Sequence, residues 1–229
     1  MINVKSFLVV SALSVFACTS TNGTPTTPSG TAAPNPPIGG DTTLALGQVG
    51  NVFSNIGGIK VGGETVTADV TMTVTKNEGG VATLKLKADF SKDPRLAKLD
   101  KLVPATMKDA SGKIDTDVKF RVTSEGVQDY FNRDSAQHTL VKYASPVGDT
   151  YKLTKSNGVT ITRTVVAKSD KDDFPYGPFD IKTMTIEQDS RIVGIKKFII
   201  RANHKFGIVY FEIVADDGSN VGMTIVSKN

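Results

Sequence analysis

The sequence predicts an all-β, mainly antiparallel domain, built as a strongly curved sheet or open barrel of about 9–11 strands with one short helix. Three observations support this fold class: runs that alternate apolar and polar residues, Gly- and Asn-rich turns between them, and C-terminal runs that are apolar on both faces. A two-sheet β-sandwich explains them almost as well, because periodicity does not distinguish a curved sheet from two packed sheets. The chain has no tryptophan and many Thr and Val residues, which suits strands.

The first 17 residues have the features of a bacterial lipoprotein signal peptide. Lys5 precedes an apolar run from Phe7 to Ala17, which is about half of the roughly 20 residues that a membrane-spanning helix needs. Cys18, the only cysteine, follows directly. In such a lipoprotein this thiol carries acyl chains such as palmitate, so we expect Cys18 to be the lipidation site that anchors the mature chain to the membrane. The alternative is a free thiol in an ordinary secreted protein.

Residues 18–41 are predicted to be the lipidated cysteine and a disordered tether of Pro, Thr and Gly. The segment 19–41 holds five of the ten prolines, no Lys or Arg, and a single apolar residue besides Ala and Pro, Ile38. This composition buries too little surface to offset the entropy of ordering, so folding is not expected to need the tether. Thr19, by resemblance to enterobacterial sorting rules, favours the outer membrane, and we expect the protein to face the periplasm.

Residues 42–229 are long enough to form a single β-rich domain with its own core. The runs 65–76 and 81–90 both alternate apolar and polar residues, and the turn sequence 77–80 (NEGG) joins them, which predicts a hairpin with one apolar face. The run 114–123 alternates in the same way. These runs predict the first half of the sheet.

Two further hairpins are predicted in the C-terminal half. Tyr151–Lys155 and Val159–Lys168 flank an Asn-Gly pair, and the sequence 216–219 (DDGS) is a second turn signal. The runs 192–203 and 207–215 carry apolar residues at both odd and even positions. A strand with two apolar faces needs to be covered on both sides, so we expect these strands in the middle of the structure.

One short helix is predicted between the strands. Asp93 is a suitable N-cap, Pro94 suits the first helical position, and Pro104 limits the far end. One face is apolar and consists of Leu96, Leu99, Leu102 and Val103, whereas basic side chains lie near another face, at Arg95, Lys98 and Lys101. We expect the leucines to cover one end of the sheet, with Leu99 pointing inward. The alternative is a basic helix that faces anionic lipid.

Four segments of the C-terminal half occur in a characteristic order: 143–149 (YASPVGD), 163–166 (RTVV), 176–180 (YGPFD) and 206–209 (FGIV). This order resembles the uncharacterised all-β lipoproteins and periplasmic domains of the TapB-like type. The resemblance covers roughly residues 140–215 and consists of turn motifs, from two of which the chain departs, at Pro175–Pro178 and at Lys205–Phe206. It implies an all-β fold and an envelope location, and it implies no catalytic residues.

The sequence shows no recognisable catalytic, cofactor or metal motif. His138 and His204 lie in predicted strands or strand ends, and we expect both to be surface or interface residues. The acidic loop 170–173 is followed by Phe174 and Pro175, without the glycine and distal Glu that calcium loops use, so a solvated loop is favoured. We therefore predict that the protein is not an enzyme.

The net charge is +4, with basic and acidic residues interleaved, which is not the footprint of a nucleic-acid-binding protein. We expect a lipid-anchored envelope lipoprotein that serves as a non-catalytic binding or interaction module for a protein, glycan or lipid partner. The alternative is a half-barrel carrier of a lipid or other hydrophobic ligand. The two hypotheses differ in whether the concave face of the sheet is filled by side chains or left open.

Overall fold

The computed structural model describes residues 33–228, and the expected signal peptide and Cys18 lie outside this range. The helical elements are three 3₁₀ turns and one α-helix: Ala45–Gly47, Pro94–Leu96, α1 Ala97–Leu102 and Ala105–Met107. The strands are β1 Val52–Val61, β2 Glu64–Val66, β3 Val70–Glu78, β4 Val81–Ala88, β5 Ile114–Thr123, β6 Gly126–Asp129, β7 His138–Lys142, β8 Thr150–Thr154, β9 Thr160–Lys168, β10 Phe174–Tyr176, β11 Phe179–Ile181, β12 Met184–Asp189, β13 Ile195–Asn203, β14 Gly207–Ala215 and β15 Asn220–Ser227.

Twelve strands form one continuous antiparallel path, in the order β7-β6-β5-β4-β3-β1-β15-β14-β13-β12-β9-β8, with β2 added beside β1. The path curves until its last two strands, β7 and β8, meet, so the sheet is a nearly closed barrel. The predicted curved sheet or open barrel is therefore confirmed, and the alternative of two packed sheets is not observed. The strand number exceeds the expected range, partly because the run 65–76 divides into β2 and β3 at residues 67–69.

The predicted hairpins are also confirmed. β3 pairs with β4 through a turn at Gly79 and Gly80, whose φ angles of +57° and +85° are those that a two-residue hairpin turn requires. β8 pairs with β9, and β14 pairs with β15 around the turn at 216–219. Because adjacent strands are antiparallel, successive connections alternate between the two ends of the barrel.

The short helix closes one end of the barrel, in the connection between β4 and β5. Its predicted start is confirmed, since the Asp93 carboxylate accepts a hydrogen bond from the Arg95 backbone N–H at 2.9 Å. Leu96, Leu99 and Val103 are buried in the main core, so Leu99 points inward as expected. We call this end the helix end.

The second sheet, β10–β11, covers the outer face of β14 and β15. A bulge in β14 at Val209 lets this side chain face outward and pack on Tyr176 and Ile181, while Phe211 and Ile213 point into the barrel. β14 is thus covered on both sides, as the two apolar faces of 207–215 predict.

The barrel is closed at a seam between β7 and β8 by side chains. The Lys142 N–H donates to Tyr151 Oη at 3.2 Å, and His138 Nε2 donates to the Tyr151 carbonyl oxygen at 3.2 Å. The Asn35 amide lies between the two strands: its Oδ1 accepts from the Thr139 N–H at 2.8 Å, and its Nδ2 donates to the Lys152 carbonyl oxygen at 2.8 Å. The Asn35 side-chain amide thus takes the place of a peptide group between the strands, and it supplies a hydrogen-bond partner to one backbone group of β7 and one of β8.

Asn35 belongs to a segment that lies along the outside of β6 and β7, which we call the strap, residues 35–41. Ile38 is only 6% exposed, and its N–H donates to Gln128 Oε1 at 2.9 Å. The Asp41 N–H donates to Ser124 Oγ, and the Ser124 N–H donates to the Asp41 carbonyl oxygen, both at 2.9 Å. These contacts correct the expected domain boundary at Thr42. Composition alone misses the strap, because one isoleucine and a few backbone groups are enough to hold it on a preformed sheet.

We therefore expect a chain that begins at Thr42 to melt roughly 5–10 °C below one that begins at Ala33, because it loses the burial of Ile38 and the strap hydrogen bonds. Thermal unfolding followed by circular dichroism measures this difference. A chain that begins at Thr19 is the control and should have the same melting temperature as the chain that begins at Ala33. Equal melting temperatures for the Thr42 and Ala33 chains would show that the strap does not stabilise the domain.

Candidate functional site

The barrel encloses an apolar cavity of about 100 Å³. Its walls come from both halves of the sheet and include Phe53, Met72, Ala82, Leu84, Leu86, Ala88, Phe120, Val122, Leu140, Ile200, Ile208, Phe211, Met223 and Ile225. β4 shows why the sequence builds an apolar wall here: its even-numbered residues face inward, and two of them, Ala82 and Ala88, are small. The alanines leave space that larger side chains would fill.

The cavity opens at the end opposite the helix, which we call the mouth end. Among the lining side chains, those that solvent partly reaches are Leu46, Phe53, Met72, Val122, Phe206, Ile208 and Met223. Most of them lie where β1 and β14 begin or where β5 ends. The lining residues toward the helix end, such as Ala88, Phe90 and Ile114, are buried.

A short turn, Ala45–Gly47, is fixed across part of the mouth. Asn77 Nδ2 donates to the Gly47 carbonyl oxygen at 2.7 Å, and Asn51 Nδ2 donates to the Leu46 carbonyl oxygen at 3.3 Å. The Leu46 side chain reaches Gly207, where an added β-carbon would lie 3.2 Å from Leu46 Cδ1. Gly207 also has a φ of +70°, so glycine at this position gives both the backbone turn and the close approach of Leu46.

A buried ion pair lies at the inner end of the cavity. Asp129 lines the cavity, and its Oδ2 is 2.7 Å from Nη2 of Arg163, with both side chains about 2% exposed. Arg163 also donates from Nε to Gln188 Oε1 at 2.8 Å and from Nη1 to the Thr139 carbonyl oxygen at 3.2 Å. The Phe131 N–H donates to Asp129 Oδ1 at 3.1 Å. This network joins β6, β7, β9 and β12 across the seam.

Burial shifts the titration of this cluster. The pKa of Asp129 is raised by burial, against the opposing effects of Arg163 and the Phe131 N–H. The pKa of His138 is lowered to about 2, first by burial and then by the Arg163 charge. His138 Nδ1 has no hydrogen-bond partner among the residues that the structure describes. A pKa this low leaves the imidazole far from the range that suits proton exchange at neutral pH.

The histidine predictions have different outcomes. His204 is exposed in the turn between β13 and β14, in agreement with the expected surface position. His138 is fully buried inside the barrel, so its expected place at a surface or interface is wrong. The reason is closure: β7 would be an edge strand in an open sheet, but the seam with β8 covers it.

The acidic loop 170–173 is exposed, and Asp173 accepts a hydrogen bond from Ser169 Oγ at 2.8 Å. Within residues 33–228, no group of three or more His, Cys, Asp or Glu side chains is arranged to hold a metal ion. In the same part of the chain, no helix is long and apolar enough to cross a membrane.

Sequence reasoning missed Asp129 and Arg163 as members of the site. A usable signal existed for Arg163, which shares its parity in β9 with Ile161 and Val165 and therefore occupies an inward position. A charged residue at an apolar position of an alternating strand indicates a buried partner. Asp129 has no such signal, because β6 is too short to show a period.

Comparison of the chain with family models, with curated proteins and with solved structures gives no match.

Proposed function

We propose that this chain is a lipid-anchored envelope lipoprotein whose barrel binds an apolar ligand such as an alkyl chain. The observation that supports this proposal is the apolar cavity with its opening at the mouth end. Of the two hypotheses raised by the sequence, the carrier is the one that needs an unfilled interior. Apolar cavities of about 150 Å³ in other proteins stay free of water and bind small hydrocarbons, so a space of this kind is a binding site of the right chemistry.

The cavity's geometry also orients the ligand. Its walls are apolar from the mouth to the inner end, and Asp129, the charged residue that lines it, already pairs with Arg163. An alkyl chain inside the cavity contacts apolar walls only, whereas a polar headgroup can stay hydrated only at the mouth. The ligand class that fits is therefore amphiphilic, with the last few carbons of one slender apolar chain inside and its headgroup outside.

The anchor and the compartment rest on the N-terminal sequence. The apolar run from Phe7 to Ala17, followed by Cys18, supports lipidation, and Thr19 supports the outer membrane with the domain facing the periplasm. The resemblance of residues 140–215 to TapB-like envelope proteins points to the same compartment. A lipid-anchored protein is surrounded by amphiphiles of the kind that the cavity fits.

The ligand proposal is tested by filling the cavity. A fluorescent fatty acid titrated into the purified chain should bind, and Ala82→Leu should weaken its affinity about tenfold, which corresponds to about 1.4 kcal/mol. Ala97→Leu is the matched control, because Ala97 is exposed at the helix end. Native mass spectrometry of protein from its host should show a copurifying amphiphile. If Ala82→Leu and Ala97→Leu bind the probe equally well, or if the unsubstituted chain does not bind it, the interior is not the binding site.

The anchor is tested separately with Cys18→Ala. Without the thiol no acyl chain is attached, so we expect the protein to move from the membrane fraction to the soluble fraction and to lose its partition into detergent. Cell fractionation and detergent phase separation measure this change. Membrane association that is unchanged in Cys18→Ala would contradict the lipoprotein assignment.

A further inference from the structure

The strongly exposed apolar side chains are unevenly distributed over the barrel. Val49, Val147 and Phe179 are 64%, 57% and 50% exposed, and all three lie in or beside connections at the mouth end. Val193, which is 81% exposed, lies between β12 and β13 at the helix end. Exposed apolar residues scattered singly need no explanation, but their concentration around the opening of an apolar cavity does.

The exposed aromatic residue is continuous with the cavity. The rings of Phe179 and Phe206 lie 6.0 Å apart, and the rings of Tyr176 and Phe206 lie 4.9 Å apart. Phe206 lines the cavity, so these three rings form an unbroken apolar surface from solvent to the mouth. Lys205 Nζ lies 5.3 Å from the centre of the Phe206 ring. Aromatic rings beside a lysine are typical of protein surfaces that lie in the membrane interface.

Charges at the mouth end are balanced. Exposed basic residues at this end are Lys76, Lys142, Lys168, Lys171, Lys182, Lys205 and Lys228, and exposed acidic residues are Asp41, Glu78, Glu125, Asp170, Asp172, Asp173 and Asp180. Because positive and negative charges at the mouth end are equal in number, an anionic surface neither strongly attracts nor repels this end. Apolar insertion, and not charge, would therefore drive any contact of this end with a bilayer.

The N-terminal chain is long enough to permit such a contact. From Cys18 to Asn35 the 17 residue steps span at most roughly 55–60 Å when extended. The ten-residue strand β5 is about 33 Å long. A chain anchored at Cys18 can thus bring either end of the barrel to the membrane, and the exposed side chains decide which end binds.

We propose that the mouth end docks on the surface of a phospholipid bilayer, with Phe179 and Val147 inserted among the headgroups. The mouth then faces the acyl chains, and an amphiphile passes between the bilayer and the cavity without its apolar chain crossing water. The docking rests on the proposed lipid anchor, and the exchange of ligand rests in addition on the proposed binding in the cavity.

The absence of tryptophan from the chain makes the docking directly measurable. Phe179→Trp and Val193→Trp each place a single fluorophore, one at each end of the barrel. The protein as its host processes it is mixed with vesicles of phosphatidylethanolamine and phosphatidylglycerol, with or without brominated acyl chains. We expect a blue shift and quenching by bromine for Phe179→Trp, and neither change for Val193→Trp. Equal emission from the two variants, or quenching of Val193→Trp alone, would overturn the proposal.

A second measurement separates docking from ligand binding. Phe179→Ser combined with Val147→Ser should slow the transfer of a fluorescent fatty acid from vesicles to the protein at least about fivefold, because it removes both apolar anchors. Its affinity for the same probe in solution should not change, and Val193→Ser should change neither quantity. A transfer rate that is unchanged in the double variant would contradict docking but would leave the cavity as the binding site. The binding of the probe in solution by Ala82→Leu tests the cavity alone.

Discussion

Arg163→Met is expected to lower the free energy of unfolding by about 3–5 kcal/mol. The substitution leaves the Asp129 carboxylate buried without its cation and removes the donors that Gln188 and the Thr139 carbonyl oxygen use. It also removes the side chain that reaches from β9 to β7 and β6 across the seam. Denaturant unfolding followed by circular dichroism measures the loss.

Two controls make this prediction specific. Lys85→Met breaks the Lys85–Asp115 pair, in which the lysine side chain is 37% exposed, and should cost much less stability than Arg163→Met because solvent screens this pair. Arg163→Met combined with Asp129→Leu removes both buried charges and should be more stable than Arg163→Met alone, because no uncompensated carboxylate remains. If Arg163→Met costs no more than Lys85→Met, the buried pair does not hold the seam.

Leu99→Ala is expected to cost about 2–5 kcal/mol, the usual range for truncating a buried leucine. Leu99 packs with Leu96 and Val103 in the main core at the helix end. Leu99 does not line the cavity, which opens at the other end of the barrel. The helix is therefore a packed cover and not a lid over the ligand, so the full cost should appear as lost stability.

Lys101→Ala, an exposed change in the same helix, is the matched control and should alter stability by less than about 0.5 kcal/mol. Binding of the fluorescent fatty acid should be unchanged in Leu99→Ala at temperatures where the variant is folded. A small loss of stability accompanied by weaker retention of the probe would show that the helix acts as a lid after all.

The sequence by itself determined the elements that depend on local pattern. The alternation in 114–123 predicts both ends of β5, since a strand with one face on the core carries an inward side chain at every second position. The Asp93-Pro94 start of the helix and the hairpin turns at Gly79–Gly80 and Gly218 follow from the short-range geometry of these residues. The two apolar faces of 207–215 also predict cover on both sides of β14.

The tertiary structure alone decided how the strands close and what the closure leaves inside. His138 and Arg163 are buried only because β7 and β8 meet, and the strap is ordered only because the finished sheet offers Gln128 and Ser124 as partners. The cavity depends on the difference between the volume of the barrel and that of its inward side chains, such as Ala82 and Leu84. The alternation of apolar residues along a strand predicts which face of that strand is covered. The volume left empty inside the barrel depends instead on contacts between residues far apart in the chain.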